Sequence, residues 1–268
     1  MTLLKLGWFS TGNGEGSMGL LQNVQGAIES GELSAQIQFV FSNREVGEAD
    51  GSDKFLHYVR DCGIPTVTLS SKRFRKQHGG GQFSIHRSSF DEAVMDKLKP
   101  YTPDVCVLAG YMLITGASLC NHYTMLNLHP ALPGGPVGTW KEVIWKIIEE
   151  KNLESGAYIH LATEDLDQGP LLTYYSFPLL GNKFDNLWNQ VQGRSIEDIK
   201  SQEGEDLPLF QHIRQEGIKR ERPLLLETLK TFAQGNIQLK EQQPINGSGN
   251  PISGLCLNET IDTIYNLP

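Results

Sequence analysis

The sequence predicts an α/β fold in which a Rossmann-like, open and mostly parallel sheet carries helices on both faces. Two observations lead to this prediction. Short apolar runs alternate with segments of helical periodicity along most of the chain, which is the pattern of successive strand and helix units in a parallel sheet. A glycine-rich loop, STGNGEGSMG, separates the first apolar run from the first helical segment, and ligands of open parallel sheets bind at this edge.

Each strand is predicted from a short apolar run bounded by glycine or polar residues. The fourth run, DVCVLAGYM, is the most hydrophobic. In chain order, the predicted strands are 3–9, 37–42, 64–69, 104–112, 157–164 and 169–179.

Each helix is predicted from apolar residues at three- and four-residue spacing, as in Leu21, Val24 and Ile28. Gly63 and Gly235 are positioned to end two of the helices. In chain order, the predicted helices are 18–28, 54–63, 88–98, 139–150 and 223–235.

The C-terminal region predicts a helix followed by a β-hairpin, because two short apolar runs surround a Pro, Asn, Gly and Ser cluster within 236–257. The polar stretch 193–208 has little apolar periodicity and is expected to be a surface insertion. Residues 258–268 are expected to form a mobile C-terminal tail. The chain is therefore predicted to be a single domain over residues 1–257 followed by that tail.

The composition limits the classes of partner. The 268 residues carry a formal net charge of -8, whereas nucleic acid and anionic membranes select basic surfaces, so neither is an expected partner. The four cysteines lack the spacing of zinc ligands, and no metal is expected. Reduced cysteines, and an N-terminal apolar run too short to span a membrane, predict a cytoplasmic protein.

The glycine loop over 10–19 is interpreted as a binding site for a phosphate or carboxylate. Glycines let a ligand approach the backbone, and free amides at a helix start favour an anion. The loop lacks the Lys-Ser or Lys-Thr ending of a P-loop, and no acidic residue closes the second strand as it does in dinucleotide sites. A flexible connection without a ligand is the alternative interpretation.

The stretch LNLHPALPGG, residues 126–135, predicts a polar pair at the end of a buried strand. Asn127 and His129 are two residues apart and therefore project from the same face of the strand. Pro130 ends the strand at the carboxyl edge of the sheet. An amide beside an imidazole suits a reaction in which an oxygen becomes negative and a proton moves nearby.

A second polar feature is the acidic loop TEDLDQGP, residues 163–170. The Gln-Gly-Pro turn after Asp167 is expected to hold this carboxylate in place. A fixed carboxylate beside an imidazole orients the ring and favours its protonated form.

Three segments, taken together, resemble the folate-dependent formyltransferase family, most closely its branch acting on glycinamide ribonucleotide in purine synthesis. They are LAGYMLI at 108–114, LNLHPALP at 126–133 and IHLATEDLDQGPLL at 159–172. The likeness runs over about residues 4–181 and resumes at 232–239. It implies transfer of a formyl group from 10-formyltetrahydrofolate, a co-substrate that requires no metal, to the primary amine of a small phosphorylated acceptor.

The resemblance also implies roles for individual residues. Asn127 and protonated His129 would stabilise the oxyanion, while Asp167 would hold His129 charged and help to relay a proton. The residues implied to bind the folate are Tyr111, Met112, Leu113, Ile114, Ala162, Thr163, Glu164 and Asp165. The residues implied to bind the acceptor are Gly14, Gly16, Ser17, Arg87, Glu216 and Glu221.

The chain departs from the family pattern at several points. Leu113 stands where the family usually has an arginine, the glycine loop is about two residues longer, and the segments 75–86 and 193–208 are additional. Glu216 and Glu221 are alternative counterparts of one family glutamate. The acceptor could therefore be an amino sugar on a nucleotide, or water, and a catalytically silent folate-binding module is the remaining alternative. A monomer or homodimer is expected.

Overall fold

The computed structural model describes residues 3–165 and 167–267, apart from the side chain of Asn182. The strands are β1 Leu4–Ser10, β2 Ala35–Ser42, β3 Thr66–Thr68, β4 Val105–Leu108, β5 Met125–His129, β6 Glu154–Leu161, β7 Leu171–Pro178, β8 Ile237–Lys240, β9 Gln243–Asn246 and β10 Leu255–Cys256. The α-helices are α1 Glu15–Glu29, α2 Asp50–Asp61, α3 Ser71–Gln77, α4 Arg87–Leu98, α5 Ala117–His122, α6 Trp140–Glu150, α7 Asn182–Val191, α8 Ile196–Gln202, α9 Pro208–Ala233 and α10 Asn258–Tyr265.

The prediction of an open, mostly parallel sheet is confirmed. Eight strands lie in the order β10-β7-β6-β5-β4-β1-β2-β3, and β8 pairs separately with β9. The run from β3 through β5 is parallel, whereas β6 is antiparallel to both of its neighbours. The chain order reverses between β1 and β4, which is where an open sheet of this type leaves a crevice for a ligand.

Helices cover both faces of the sheet, as predicted. In β1, Trp8 packs into the apolar cluster under α1, α2, α6 and α9, and Phe9 packs into the cluster under α3, α4 and α5. Both side chains are fully buried. Burial of each contributes about 2–3 kcal/mol to folding, and the alternation fixes the register of the central strand.

The last long helix begins earlier than predicted. The sequence places its start at Pro223, but α9 begins at Pro208 and continues through Pro223. A proline inside a helix removes one backbone hydrogen bond. Here Leu224 and Leu225 follow it in the core, at most 1% exposed, so packing holds the helix together despite the lost bond.

The hairpin is present, but its turn was predicted in the wrong place. Strands β8 and β9 are joined at Glu241 and Gln242, which have φ values of 52° and 60°, the left-handed pair of a two-residue hairpin turn. The Pro, Asn, Gly and Ser cluster lies after this turn. β10 then leaves the hairpin and pairs with β7.

Two C-terminal segments contain helices that the sequence did not predict. Residues 193–208, expected to be a surface insertion, contain α8, whose Ile199 is 1% exposed. The prediction of a mobile tail is wrong for residues 258–265, because α10 buries Ile261 and its Asp262 accepts a hydrogen bond from Tyr175. Residue 268 lies outside the described residues. Within the described ranges, every helix is too short or too polar to cross a membrane.

Candidate active site

The structure brings Asn127, His129 and Asp167 together at the carboxyl end of β5. Asn127 Nδ2 donates a 3.1 Å hydrogen bond to Asp167 Oδ1. His129 Nδ1 lies 3.4 Å from Asp167 Oδ2. The His129 and Asp167 side chains are only 3% and 6% exposed, so their charges interact with little screening by water.

His129 is placed between two oxygen acceptors. Its Nε2 donates to the carbonyl oxygen of Pro136 at 2.9 Å, and its Nδ1 faces the Asp167 carboxylate. A neutral imidazole has one N–H, and only the imidazolium offers a proton to both neighbours. Both ring nitrogens therefore face oxygen atoms, and an N–H at Nε2 can be donated to an oxygen on that side.

The Asp167 carboxylate is held by its own backbone as well as by its partners. Its φ of 57° lies in the left-handed region, and its carbonyl accepts a hydrogen bond from the Tyr158 hydroxyl at 3.2 Å. Burial acts to raise the pKa of Asp167, but hydrogen bonding by His160, the charges of His129 and His160, and the Gly138 N–H outweigh it. The pKa lies below its ordinary value, and the group is a carboxylate at neutral pH.

His160 belongs to the same cluster, and the sequence analysis missed it. Its Nε2 lies 3.0 Å from Asn127 Nδ2 and its Nδ1 lies 2.8 Å from the Leu161 carbonyl. In the antiparallel pairing of β5 with β6, His160 stands opposite Asn127 and Tyr158 stands opposite His129. The sequence offered only a weak signal: Tyr158 and His160 are two residues apart and project from the same face of β6.

A cavity of about 450 Å³ lies beside this cluster. Its walls come from the start of α4, the start of α5 and the acidic loop after β6; the lining residues are Ser84, Arg87, Ser88, Asp91, Gly116, Ala117, Ser118, Glu164 and Asp165. Three of the predicted site residues, Arg87, Glu164 and Asp165, are therefore brought to one cavity. Ala162 and Thr163 precede them on the same loop, and residue 166 lies outside the described residues.

The segment after β4 closes the side of the site next to the glycine loop. The Tyr111 ring packs against Phe9, with ring centroids 5.8 Å apart, so this side chain belongs to the core. Met112 and Ile114 are exposed, and Leu113 is half-buried. The Met112 amide donates to Thr11 Oγ1 at 2.9 Å, which ties this segment to the glycine loop.

Asp91 is a buried carboxylate in the wall of the cavity. It is 2% exposed, and its Oδ2 accepts a 2.6 Å hydrogen bond from the Gly116 amide. Burial raises the pKa of Asp91 to about 6, against the opposing effects of the Gly116 N–H and the Arg87 charge. This carboxylate therefore fixes the start of α5, where the segment that begins at Tyr111 ends.

The glycine loop faces a charged pair from α9. Gly14 caps α1 without a side-chain hydrogen bond, and Ser17 packs on Gly110, whose φ of 67° and close contact require glycine. Arg214 Nη2 lies 3.5 Å from the position of a Cβ on Gly16.

Arg214 is itself held in place. Its Nη1 donates to Glu221 Oε1 at 2.7 Å, and its guanidinium lies 4.6 Å from the Trp140 ring centroid. Arg214 and Glu221 also line a small cleft with Pro130, the residue after His129. The sequence analysis missed Arg214, although residues seven apart share a helix face.

The two candidate glutamates of α9, Glu216 and Glu221, have different ion-pair partners. Glu221 faces the glycine loop through Arg214. Glu216 instead pairs with Lys219 and Arg220, at 2.6 and 2.7 Å, and Arg220 lies over the Phe177 ring of β7. Glu216 is therefore not part of the cluster around the glycine loop.

Across residues 3–165 and 167–267, the His, Cys, Asp and Glu side chains form no group of three that could hold a metal ion.

Comparisons with known protein families and known proteins found clear matches to this chain. The "Formyl transferase" family model matches residues 12–189. The phosphoribosylglycinamide formyltransferase of Escherichia coli (strain K12) is 30% identical over 190 residues, which cover 68% of this chain and 77% of the relative.

Solved structures share the fold. A phosphoribosylglycinamide formyltransferase from Coxiella burnetii superposes with a TM-score of 0.69 at 24% identity, covering 95% of this chain and 99% of that one. A formyltetrahydrofolate deformylase from Pseudomonas syringae pv. tomato superposes with a TM-score of 0.63 at 19% identity, covering 91% and 66%. The family match and the E. coli relative identify this chain as a member of the folate-dependent formyltransferase family.

Proposed function

We propose that this protein transfers the formyl group of 10-formyltetrahydrofolate to the primary amine of glycinamide ribonucleotide, a step of purine biosynthesis. The observation that carries the proposal is the convergence of Asn127, His129 and Asp167 in one buried cluster. Membership in the formyltransferase family and the activity named for the E. coli relative support it.

The reaction needs an oxyanion site and a route for one proton. The amine nitrogen bonds to the formyl carbon, and the carbonyl oxygen becomes negative. His129 Nε2 and the Asn127 amide are the donors assigned to that oxygen, and such donors stabilise the transition state by several kcal/mol (roughly 3–4) each. The bond from the carbon to folate N10 then breaks, and the proton lost by the amine passes to N10.

Asp167 is assigned to hold this arrangement. Its carboxylate faces His129 Nδ1 and accepts from Asn127 Nδ2, so it orients both donors and stabilises the charge on the ring. The same carboxylate is the base that helps to relay the proton from the amine, through water, to the departing nitrogen. In this proposal Asn127, His129 and Asp167 carry out every step, and no step is assigned to a metal.

The Pro136 carbonyl occupies the place at His129 Nε2 that the oxyanion would take. Substrate binding therefore requires the loop from Leu132 to Gly138 to move away from the ring. Glycines at 134, 135 and 138 give this loop its conformational freedom, and Gly134 and Gly138 have φ values of 77° and 117°.

The folate is assigned to the cavity lined by Arg87, Glu164 and Asp165, with residues 111–114 and 162–163 around it. Carboxylates and backbone carbonyls suit the N–H groups of a pterin, and the exposed side chains of Met112 and Ile114 can cover it. The acceptor phosphate is assigned to the amides of Gly14, Gly16 and Ser17, with Arg214 as the nearby cation. Glu221 holds Arg214 and is assigned to bind the acceptor's hydroxyl groups.

An acceptor panel tests the proposal. Wild-type protein is incubated with 10-formyltetrahydrofolate and, in separate reactions, glycinamide ribonucleotide, a nucleotide-linked amino sugar, or water alone, and the products are identified by mass spectrometry. We expect formylated glycinamide ribonucleotide, with a kcat/KM at least about a hundredfold above that for the amino sugar. The reason is that its phosphate would bind the glycine loop while its amine reaches the catalytic side chains. Formylation of the sugar alone, release of formate alone, or folate binding without turnover would each contradict the proposal.

A further inference from the structure

Thr11 lies where the glycine loop meets the segment that follows β4. It comes directly after β1, which pairs with β4 on one side and with β2 on the other. The chain order of the sheet reverses between β1 and β4, so Thr11 stands at the crevice between the loops that leave these two strands. Its side chain is 3% exposed.

Both the backbone and the hydroxyl group of Thr11 bond to the segment 110–114. The Thr11 amide donates to the Gly110 carbonyl at 3.1 Å, and the Met112 amide donates to Thr11 Oγ1 at 2.9 Å. The hydroxyl proton is used elsewhere, because Oγ1 donates to Asn43 Oδ1 at 2.8 Å. A threonine hydroxyl has one proton and two lone pairs, so these two partners fix its orientation.

The elements behind the crevice hold Thr11 in place. Asn43 follows β2, is 2% exposed, and donates through Nδ2 to Ser71 Oγ at 3.2 Å. The Thr11 carbonyl accepts a 2.8 Å hydrogen bond from Ser52 Oγ of α2. Gly12 then begins the glycine-rich part of the loop with a φ of 68°. Thr11 is therefore the fixed point from which the loop departs.

The loop and the segment touch a second time farther along. Ser17 Oγ occupies the space in which a Cβ on Gly110 would lie. A change in the position of the glycine loop is therefore transmitted to the start of the segment 110–114, and the reverse also holds.

We propose that Thr11 is a positioning residue that couples the two substrates. A phosphorylated acceptor on the glycine loop and a folate beside residues 111–114 each bind more tightly when the other is present. The inference rests on the proposed function, which assigns the acceptor phosphate to the glycine loop and the folate to the neighbouring cavity.

The coupling arises from the cost of ordering the two segments. A phosphate fixes the amides of the glycine loop, and a folate fixes the segment in which Met112 is 64% exposed. Because Thr11 bonds to both, the ligand that binds first also restricts the segment that the second ligand must order, and the second ligand loses less conformational entropy. Linkage requires the effect to be equal in both directions.

Calorimetry of each ligand, alone and with the other at saturation, tests the inference. The folate probe is 5-formyltetrahydrofolate, whose formyl group is on N5 and is not transferred. The phosphate probes are glycinamide ribonucleotide and ribose 5-phosphate. Thr11→Val keeps the shape and removes the hydroxyl group, and Thr11→Ser restores it. The matched control is Thr173→Val, which removes a fully buried hydroxyl group bonded to Thr228 at 2.7 Å.

We expect each ligand to raise the affinity for the other by about fivefold or more in wild type, Thr173→Val and Thr11→Ser. In Thr11→Val the factor should fall below about twofold. A merely structural defect would weaken both ligands and leave their coupling factor unchanged. Absence of coupling in wild type, an unchanged factor in Thr11→Val, or its loss in Thr11→Ser would overturn the inference.

Hydrogen exchange in wild type gives a measurement that needs no variant. Ribose 5-phosphate bound to the glycine loop should slow exchange of the Met112 amide at least about threefold, because that amide donates to Thr11 Oγ1. An unchanged exchange rate at saturating ribose 5-phosphate would also overturn the inference.

The outcomes separate this inference from the proposed function. Coupling between ribose 5-phosphate and the folate, in a protein that does not formylate glycinamide ribonucleotide, counts against the proposed acceptor alone. Formylation of glycinamide ribonucleotide without coupling counts against the role of Thr11 alone. Thermal unfolding of each variant shows whether the fold is kept.

Discussion

Replacing Asp167 by asparagine is expected to lower the turnover number for formyl transfer by about a hundredfold or more. The substitution removes the negative charge that faces His129 Nδ1 at 3.4 Å, while asparagine, like aspartate, tolerates the left-handed backbone at this position better than most non-glycine residues do. Folate affinity and the fold should therefore be kept. Steady-state kinetics combined with folate binding would measure the two effects separately.

The matched control is Asp96→Asn on α4, where the carboxylate is 70% exposed and, among the residues the structure describes, pairs only with Lys99. Such surface pairs contribute at most about 1 kcal/mol, and we expect no change in turnover. If Asp167→Asn retains more than half of the wild-type turnover number, Asp167 does not have the role assigned to it.

The second large effect is expected at Gly169, in the turn that follows Asp167. A Cβ at this position would lie 1.7 Å from the carbonyl oxygen of Leu161, which is a backbone atom fixed in β6. Gly169→Ala must therefore displace the strand end or the turn, and we expect it to lower the free energy of unfolding by about 3 kcal/mol or more. Chemical denaturation would measure this loss.

Gly26→Ala provides the control, because Gly26 lies within α1 with no atom within 4 Å of its Cβ position. Alanine is the better helix former, so we expect the free energy of unfolding to rise by about 0.5–1 kcal/mol. Equal stabilities for the two alanine variants would mean that the turn after Asp167 is not tightly packed.

Much of this architecture was predictable because each signal was local. The alternation of apolar runs and helical segments identified the sheet and most helices, and the two-residue spacing of Asn127 and His129 placed both on one face of β5. Their convergence with Asp167 was implied only by the family resemblance, because β6 is antiparallel to β5 and the rule for the carboxyl ends of parallel strands does not cover the loop that follows it.

The features that were missed depend on contacts distant in sequence. The hairpin turn at Glu241 and Gln242 uses left-handed residues that carry no glycine signal, and tertiary packing lets α9 pass through Pro223. His160 enters the site only through the register of β6 against β5. Arg214 enters it only because α9 crosses the glycine loop, which no spacing rule reveals.

The position of the Pro136 carbonyl was also not predictable from the sequence. Its contact with His129 depends on how the loop after β5 folds back over the strand end, and the sequence indicated only that the strand must stop there. The residue types of the site were therefore more predictable than the contact between His129 and the Pro136 carbonyl.

A labelled formyl carbon reports directly whether His129 takes part in formyl transfer to the amine. Wild-type protein and His129→Ala are each given 10-formyltetrahydrofolate labelled at that carbon together with glycinamide ribonucleotide, and the label is traced over single turnovers. We expect the label to move to the amine in wild type and to do so at least about a hundredfold more slowly in the variant, with folate binding unchanged. Label that stays on the folate in wild type, leaves as formate, or moves equally fast in both proteins would contradict this expectation.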